Sequence, residues 1–214
     1  MIVAVDGPAA SGKGTLAKRL ARRFGFAHLD TGGLYRATAL HVPPGADPAD
    51  AAVAAAAARR VTADDLFRPD LRGEGVAQRA SIVAAIPEVR TILLGFQRDF
   101  ATRPPGGVQG AVLDGRDIGT VVCPDAAAKL FVTATVEARA RRRFLELKQR
   151  DPAVIYDTVL QDMVDRDARD SQRRTAPLVP ASDAFYIDTT DLDADAVFAT
   201  AADYVGRKLA GKGL

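Results

Sequence analysis

The chain has a single cysteine, Cys123, which excludes an internal disulfide and any cysteine-rich metal site. Its only histidines, His28 and His41, are too few to build a histidine zinc site. An excess of charge of one sign is missing too. The 29 basic and 27 acidic residues leave a formal charge of +2, which suits a small anionic ligand better than a nucleic-acid polymer. The amino terminus has no basic stretch ahead of a long apolar span, so neither export nor a membrane anchor is expected and the chain reads as cytosolic. Against these absences, 48% of the residues are hydrophobic, enough to exclude disorder, and 214 residues allow one sizeable core with an inserted subdomain. No apolar stripe is left over for an interface, so a monomer is expected.

The first twenty residues are the most informative. An apolar run over 2–6 ends in Asp6, and 13–24 has apolar residues at helical spacing. Between them stands GPAASGKGT, comprising Gly7, Pro8, Ala9, Ala10, Ser11, Gly12, Lys13, Gly14 and Thr15. Gly7, Gly12 and Lys13 fit G-x-x-x-x-G-K, in which glycines let successive N–H groups turn inward onto phosphate oxygens. The helix that follows adds its positive end, and Lys13 adds a mobile charge for the terminal phosphates. Gly14 occupies the position where Ser or Thr normally follows the lysine, and Thr15 comes one residue later. Phosphate binding is therefore expected, while the sequence leaves open whether a hydroxyl ligates magnesium.

Further strands are expected over 27–29, 111–113, 129–133 and 184–187, and helices over 33–40, 50–60, 76–85, 88–100, 136–150, 153–167 and 193–209. Alternating strands and helices call for an α/β fold with a parallel sheet covered on both faces. The alanine-rich stretch near residues 46–61 reads as a helix capped by Asp47 or Asp50, with little core value. RPPGGVQG over 103–110 reads as a loop without regular structure. Cys123 reads as a packed small apolar residue.

Three other segments bear on what faces the phosphate loop. LDTGGLYR puts Tyr35 and Arg36 one helical turn beyond a strand end, where an arginine can reach an anion at the sheet's carboxyl edge. VLDGRDIGT follows an apolar strand with Asp114, Arg116 and Asp117. VDRDARDSQRR spaces Arg166, Asp170 and Arg173 by four and three, which sets them on one helical face. Taken alone that cluster reads as a solvated charged helix. Beside a phosphate loop it reads as the cations that hold two anionic substrates together and stabilise charge in flight.

GPAASGKGT, LDTGGLYR, GVAQRASIVAAIPEVR, DGRDIGTVVCPDA and DRDARDSQRRTAPLVPA, in that order, resemble the bacterial cytidylate kinase family over most of the chain. The resemblance implies a P-loop nucleoside monophosphate kinase fold with a five-stranded parallel sheet, a helical monophosphate-binding insert and a lid. It divides the chain into a core (1–40, 108–140 and 177–214), an insert (about 41–107) and a lid (about 141–176). It implies phosphoryl transfer from ATP, with Mg2+, to CMP or dCMP. The loop from Gly7 to Thr15 would bind ATP, with Lys13 bridging to the acceptor phosphate. Thr31, Arg36 and Arg116 would face that phosphate, Ser81, Arg90 and Asp117 the base, Arg166 and Asp170 the ribose, and Arg173 the transferring group. The catalytic set so implied is Lys13, Arg116, Arg166 and Arg173, with no protein metal ligand. The segment between Arg36 and Arg72 is shorter than the family's, and the loop over 103–110 is longer.

A carboxylate with an arginine or hydroxyl complements cytosine, whose amine donor lies beside two acceptors, and opposes uracil, whose edge has a donor between two carbonyls. Asp117, Arg90 and Ser81 can supply that set. The plainer alternatives are a solvated Ser81, an Arg90 paired with Glu88, and an Asp117 paired with Arg116. Phosphoryl transfer needs no general base, so the remaining requirement is exclusion of water by a closing lid, whose turning point is the break at Pro152. Two other classes fit a phosphate loop: another small-molecule kinase on the same scaffold, for UMP or a non-nucleotide acceptor, and a non-enzymatic ATP-binding switch.

Overall fold

The computed structural model describes residues 1–73, 75–173 and 175–211; Arg174 of the second arginine cluster and the end of the expected core segment lie outside them. Five strands, β1 (Ile2–Asp6), β2 (Ala27–Asp30), β3 (Ala111–Gly115), β4 (Ala128–Thr133) and β5 (Phe185–Asp188), form one parallel sheet in the order β2-β3-β1-β4-β5. The central strand β1 is apolar because both its faces are covered. Side chains alternate across it: Val3 and Val5 join one cluster with Leu16, Leu20, Val197 and Val205, while Ala4 joins another with Leu29, Leu113 and Ile118. Helices α1 (Lys13–Phe24) and a long C-terminal helix (Ala194–Ala210) cover the first face.

A second core lies beside the sheet. Helices α2 (Thr31–His41), α3 (Ala51–Ala58), α4 (Val76–Val83) and the front of α5 (Pro87–Thr102) bury Leu34, Val83, Val89 and Leu93 together, while Phe96 and Phe100 further along α5 pack on the sheet face. The expectation that the alanine-rich helix has little core value is corrected here. Ala54, Ala55, Ala57 and Ala58 are all buried, since methyl side chains let α2 and α5 approach α3 closely. Asp50 caps this helix, accepting from the N–H groups of Ala52 and Val53. The expected loop over 103–110 contains one 3-10 turn, Pro105–Gly107, in which Gly106 takes φ 79°.

Two further helices, α6 (Val136–Lys148) and α7 (Tyr156–Ser171), are separated by the turn expected at Pro152. They meet through Ala140, Met163 and Leu160, and Phe144 sets its ring edge-on to Tyr156 at 5.8 Å. Ala9 and Ala10 pack into the same cluster, so this helix pair rests directly on the phosphate-type loop. The C-terminal helix, Ala194–Ala210, is α8. Among the described residues no single helix is long and apolar enough to cross a membrane.

Candidate active site

The loop after β1 has the conformation that its glycines predict. Gly7 has φ 151°, and a Cβ there would lie 1.9 Å from the Val132 carbonyl oxygen on β4. No other residue fits. Ala10 and Gly12 take left-handed backbone at φ 57° and 87°, which curls the chain around an inward-facing hollow before α1 begins. Lys13, the first residue of α1, is buried and donates from Nζ to the Pro8 carbonyl oxygen at 3.1 Å. Burial, and next the charge of Arg116, push its pKa down to about 7.

That depression has a measurable consequence. The neutral amine is favoured until an anion arrives, so a bound triphosphate should raise the Lys13 pKa and the protein should take up a proton. At pH near 8, where a pKa of about 7 leaves the amine mostly neutral, nucleotide binding is expected to absorb about 0.5–1 proton. Affinity then weakens as pH rises from 7 towards 9. Calorimetry in buffers of different ionisation enthalpy reads the uptake directly, and a buffer-independent heat would contradict it.

Opposite the loop, α2, the end of β3, α7 and the turn beyond it bring Arg36, Arg116, Arg166 and Arg173 to one cleft of about 190 Å³. Arg36 donates to Asp30 Oδ2 at 2.5 Å, and Arg116 donates from Nε to Asp170 Oδ2 at 2.8 Å. Arg173 pairs with the other oxygen of Asp170. Burial alone would raise the pKa of this carboxyl, which is 1% exposed, but Arg116, Arg173 and Arg166 together hold it at about 2. Among the described residues Arg166 has no such close counter-ion, and burial, and then Arg116, lower its pKa to about 10. The expectation that Arg166, Asp170 and Arg173 share a helical face needs correction. α7 ends at Ser171, and Arg173 reaches Asp170 from the turn beyond it.

Arg90, Asp117, Tyr35 and Ser81 line the rest of the cleft. Arg90, buried on α5, pairs with Asp117 and also donates to the Ala84 carbonyl oxygen at 3.3 Å. Its guanidinium lies 5.6 Å from the ring centre of Tyr35. Arg90 thus pairs with neither Glu88 nor solvent, and Asp117 pairs with Arg90 rather than its neighbour Arg116. Ser81 is buried and accepts from Arg169 Nε at 3.3 Å, a contact from α7 to α4. Thr31 lies in the cleft wall, but its hydroxyl donates to the Asp114 carbonyl oxygen at 2.8 Å.

All the expected site residues outside the phosphate loop line this cleft, together with Ala9, Ala10 and Lys13 of the loop. Thr15 is exposed on the first turn of α1. Sequence reasoning gave no site role to Asp30, Tyr35, Arg169 or the pair His28 and Asp114, which meet at 2.7 Å beside the cleft. Asp30 and Tyr35 stand inside LDTGGLYR, where they carried a signal; Arg169 is indistinguishable in sequence from its solvated neighbours. Cys123 is buried, and burial raises its thiol pKa to about 11, as expected of a packing residue.

A glycine loop at the carboxyl end of a parallel sheet, facing an arginine ring beneath a helical insert and a second pair of helices, defines a P-loop kinase of the nucleoside monophosphate type. The chain belongs to the cytidylate kinase family, whose model matches residues 3–207. It is 60% identical over 208 residues to the cytidylate kinase of Paramagnetospirillum magneticum, covering 97% of this chain and 98% of that one. It is 55% identical over 209 residues to the cytidylate kinase of Rhodospirillum rubrum, again covering 97% and 98%. A crystal structure of an uncharacterized protein from Eubacterium ventriosum superposes with a TM-score of 0.51 at 16% identity, covering 96% of this chain and 98% of that one, which shows the shared fold.

Proposed function

We propose that the cleft transfers the terminal phosphoryl group of ATP to CMP or dCMP, with the phosphate loop as donor site and the Arg90 end as base site. One observation carries the placement of the anions. Among the described residues, five buried side-chain N or O atoms have no hydrogen-bond partner, and three of them are guanidinium Nε atoms of Arg36, Arg166 and Arg173 in this cleft. Buried donors left unpaired are costly, and phosphate oxygens are the acceptors that fit guanidinium groups best. Lys13 and Arg173 would follow the migrating group, Arg36 and Arg116 would hold the acceptor phosphate, and Arg166 with Asp170 would reach the ribose. The insert over about 41–107 would carry the acceptor and the segment over about 141–176 would close as a lid. A cytoplasmic monomer is the setting this reading assumes.

Magnesium fits the site as a metal carried on the nucleotide. Among the described residues no group of three His, Cys, Asp or Glu side chains gathers to cage a metal, and magnesium bound through phosphates and water needs no such cage. Asp114 would hold it: Oδ2 is taken by His28, while Oδ1 lies on the Gly14 side of the loop. The metal would supply neutralisation of the phosphate charge.

The base assignment is tested on a panel of monophosphates. Asp117 would accept from the cytosine amine, and UMP would set a carbonyl against that carboxylate. An unpaired buried polar group costs about 1–3 kcal/mol, so CMP should exceed UMP by roughly ten- to a hundredfold in kcat/KM. Replacing Asp117 with Ala should shrink the ratio by removing both the attraction and the repulsion. Retention of the full CMP preference in that variant, with KM for ATP unchanged, would mean that another group reads the base.

A further inference from the structure

Asp6 takes no part in the reaction described above. It is the last residue of the central strand β1, 5% exposed, and it immediately precedes Gly7 of the phosphate loop. Its carboxylate reaches sideways across the end of the sheet. Oδ1 accepts from the N–H of Ile118 at 2.8 Å and Oδ2 from the N–H of Gly119 at 2.7 Å. These two amides open the short π-helical turn Ile118–Val122, which begins directly after Arg116 and Asp117. The turn is otherwise held at its start by the Asp117 carbonyl oxygen, which accepts from Val121 and Val122.

The fit around this contact is close. A Cβ on Gly119 would lie 3.2 Å from Lys129 Cδ and 3.4 Å from Asp6 Oδ2, so a side chain here would crowd the carboxylate. On the other side of Asp6, Gly7 is locked against the Val132 carbonyl oxygen. One carboxylate thus sits between the phosphate loop, held hard against β4 at Gly7, and the turn at Ile118 and Gly119, which packs closely on it.

We propose that Asp6 is a positioning residue that ties the donor phosphate loop to the loop carrying Arg116 and Asp117, setting the register between the two substrates. The inference rests on the proposed roles of Arg116 and Asp117 towards the acceptor. Both Asp6 oxygens must accept. Asparagine has nearly the same shape, but its amide would meet one of the two N–H groups donor to donor. The turn would be released at one amide, and the acceptor side of the site would drift relative to the donor side, where small misplacements cost rate steeply.

The test uses the enzyme with Asp6→Asn and, as a second variant that keeps the carboxylate, Gly119→Ala, whose methyl crowds Asp6 Oδ2 and the Lys129 side chain. Each is expected to raise KM for CMP by about tenfold while KM for ATP moves by less than about twofold, and to cut the CMP over UMP ratio by about tenfold. Amide exchange at Ile118 and Gly119 should accelerate in Asp6→Asn while the central strands stay protected. A destabilised Asp6→Asn or Gly119→Ala that kept the wild-type KM for CMP and the wild-type base preference would overturn the positioning role. So would equal increases in KM for both substrates. Asp117→Ala, measured in parallel, separates the two layers. If it loses the preference while the Asp6 and Gly119 variants keep theirs, the positioning role fails. If it retains the preference, the base-reading role fails, and KM for CMP, which reports on Arg116, decides the role of Asp6.

Discussion

Lys13→Ala should lower kcat by about 10²–10³ or more while leaving the fold intact, because its charge is aimed where negative charge moves rather than where it rests. The side chain is buried and, among the described residues, anchored only to the Pro8 carbonyl oxygen inside its own loop. Removing it breaks no long-range tie. Its depressed pKa, about 7, means that the empty site holds the ammonium at a cost. The variant should therefore melt no lower than the wild type, and its loss should appear in kcat more than in either KM. Thermal melting beside steady-state rates on ATP and CMP checks both parts. A variant that turns over at the wild-type rate would remove Lys13 from the mechanism.

The same residue shows why the donor half of the site was legible in sequence. The phosphate loop is local: one strand end, one glycine loop and one helix start supply all of it, and its geometry follows from residue types a few positions apart. Strands and helices were legible for a related reason, since burial on both faces of a parallel sheet leaves unbroken apolar runs. The acceptor half is different. Arg90, Asp117 and Ser81 come from α5, the end of β3 and α4, and their pairing is decided by how the insert packs on the sheet. Local spacing favoured Glu88 for Arg90 and Arg116 for Asp117, and packing overrode both. Arg173 likewise reaches Asp170 from beyond the helix, so helical spacing predicted the right neighbour for the wrong reason. The buried alanines of α3 illustrate the remaining gap. Alanine is equally compatible with an exposed and a closely packed helix, so only the partner helices reveal its value.

The arginine ring sets stability against activity, and Arg166 is where that opposition is largest. Its pKa falls to about 10 through burial and through the like charge of Arg116, with Arg36 and Arg173 adding to it, and its Nε has no partner among the described residues. The sign follows from which form the fold disfavours. A folded pKa below the usual arginine value means that the folded state penalises the cation. Arg166→Met keeps the apolar stem on α7 and removes the charge. The substituted enzyme should therefore melt higher without ligands, by about 2–6 °C for a chain of this size. Catalysis should move the other way. Arg166 is proposed to reach the ribose, and losing a charged hydrogen bond to substrate, about 1.5–3 kcal/mol, should raise KM for CMP and lower kcat/KM by roughly ten- to a hundredfold. Differential scanning fluorimetry with and without a bisubstrate analogue should show the two enzymes exchanging order. The variant melts higher when empty, and the wild type melts higher when the analogue neutralises its arginines. If Arg166→Met melted lower in both conditions, the cation would be a net structural support, and the cleft would not hold its charge in reserve for phosphate.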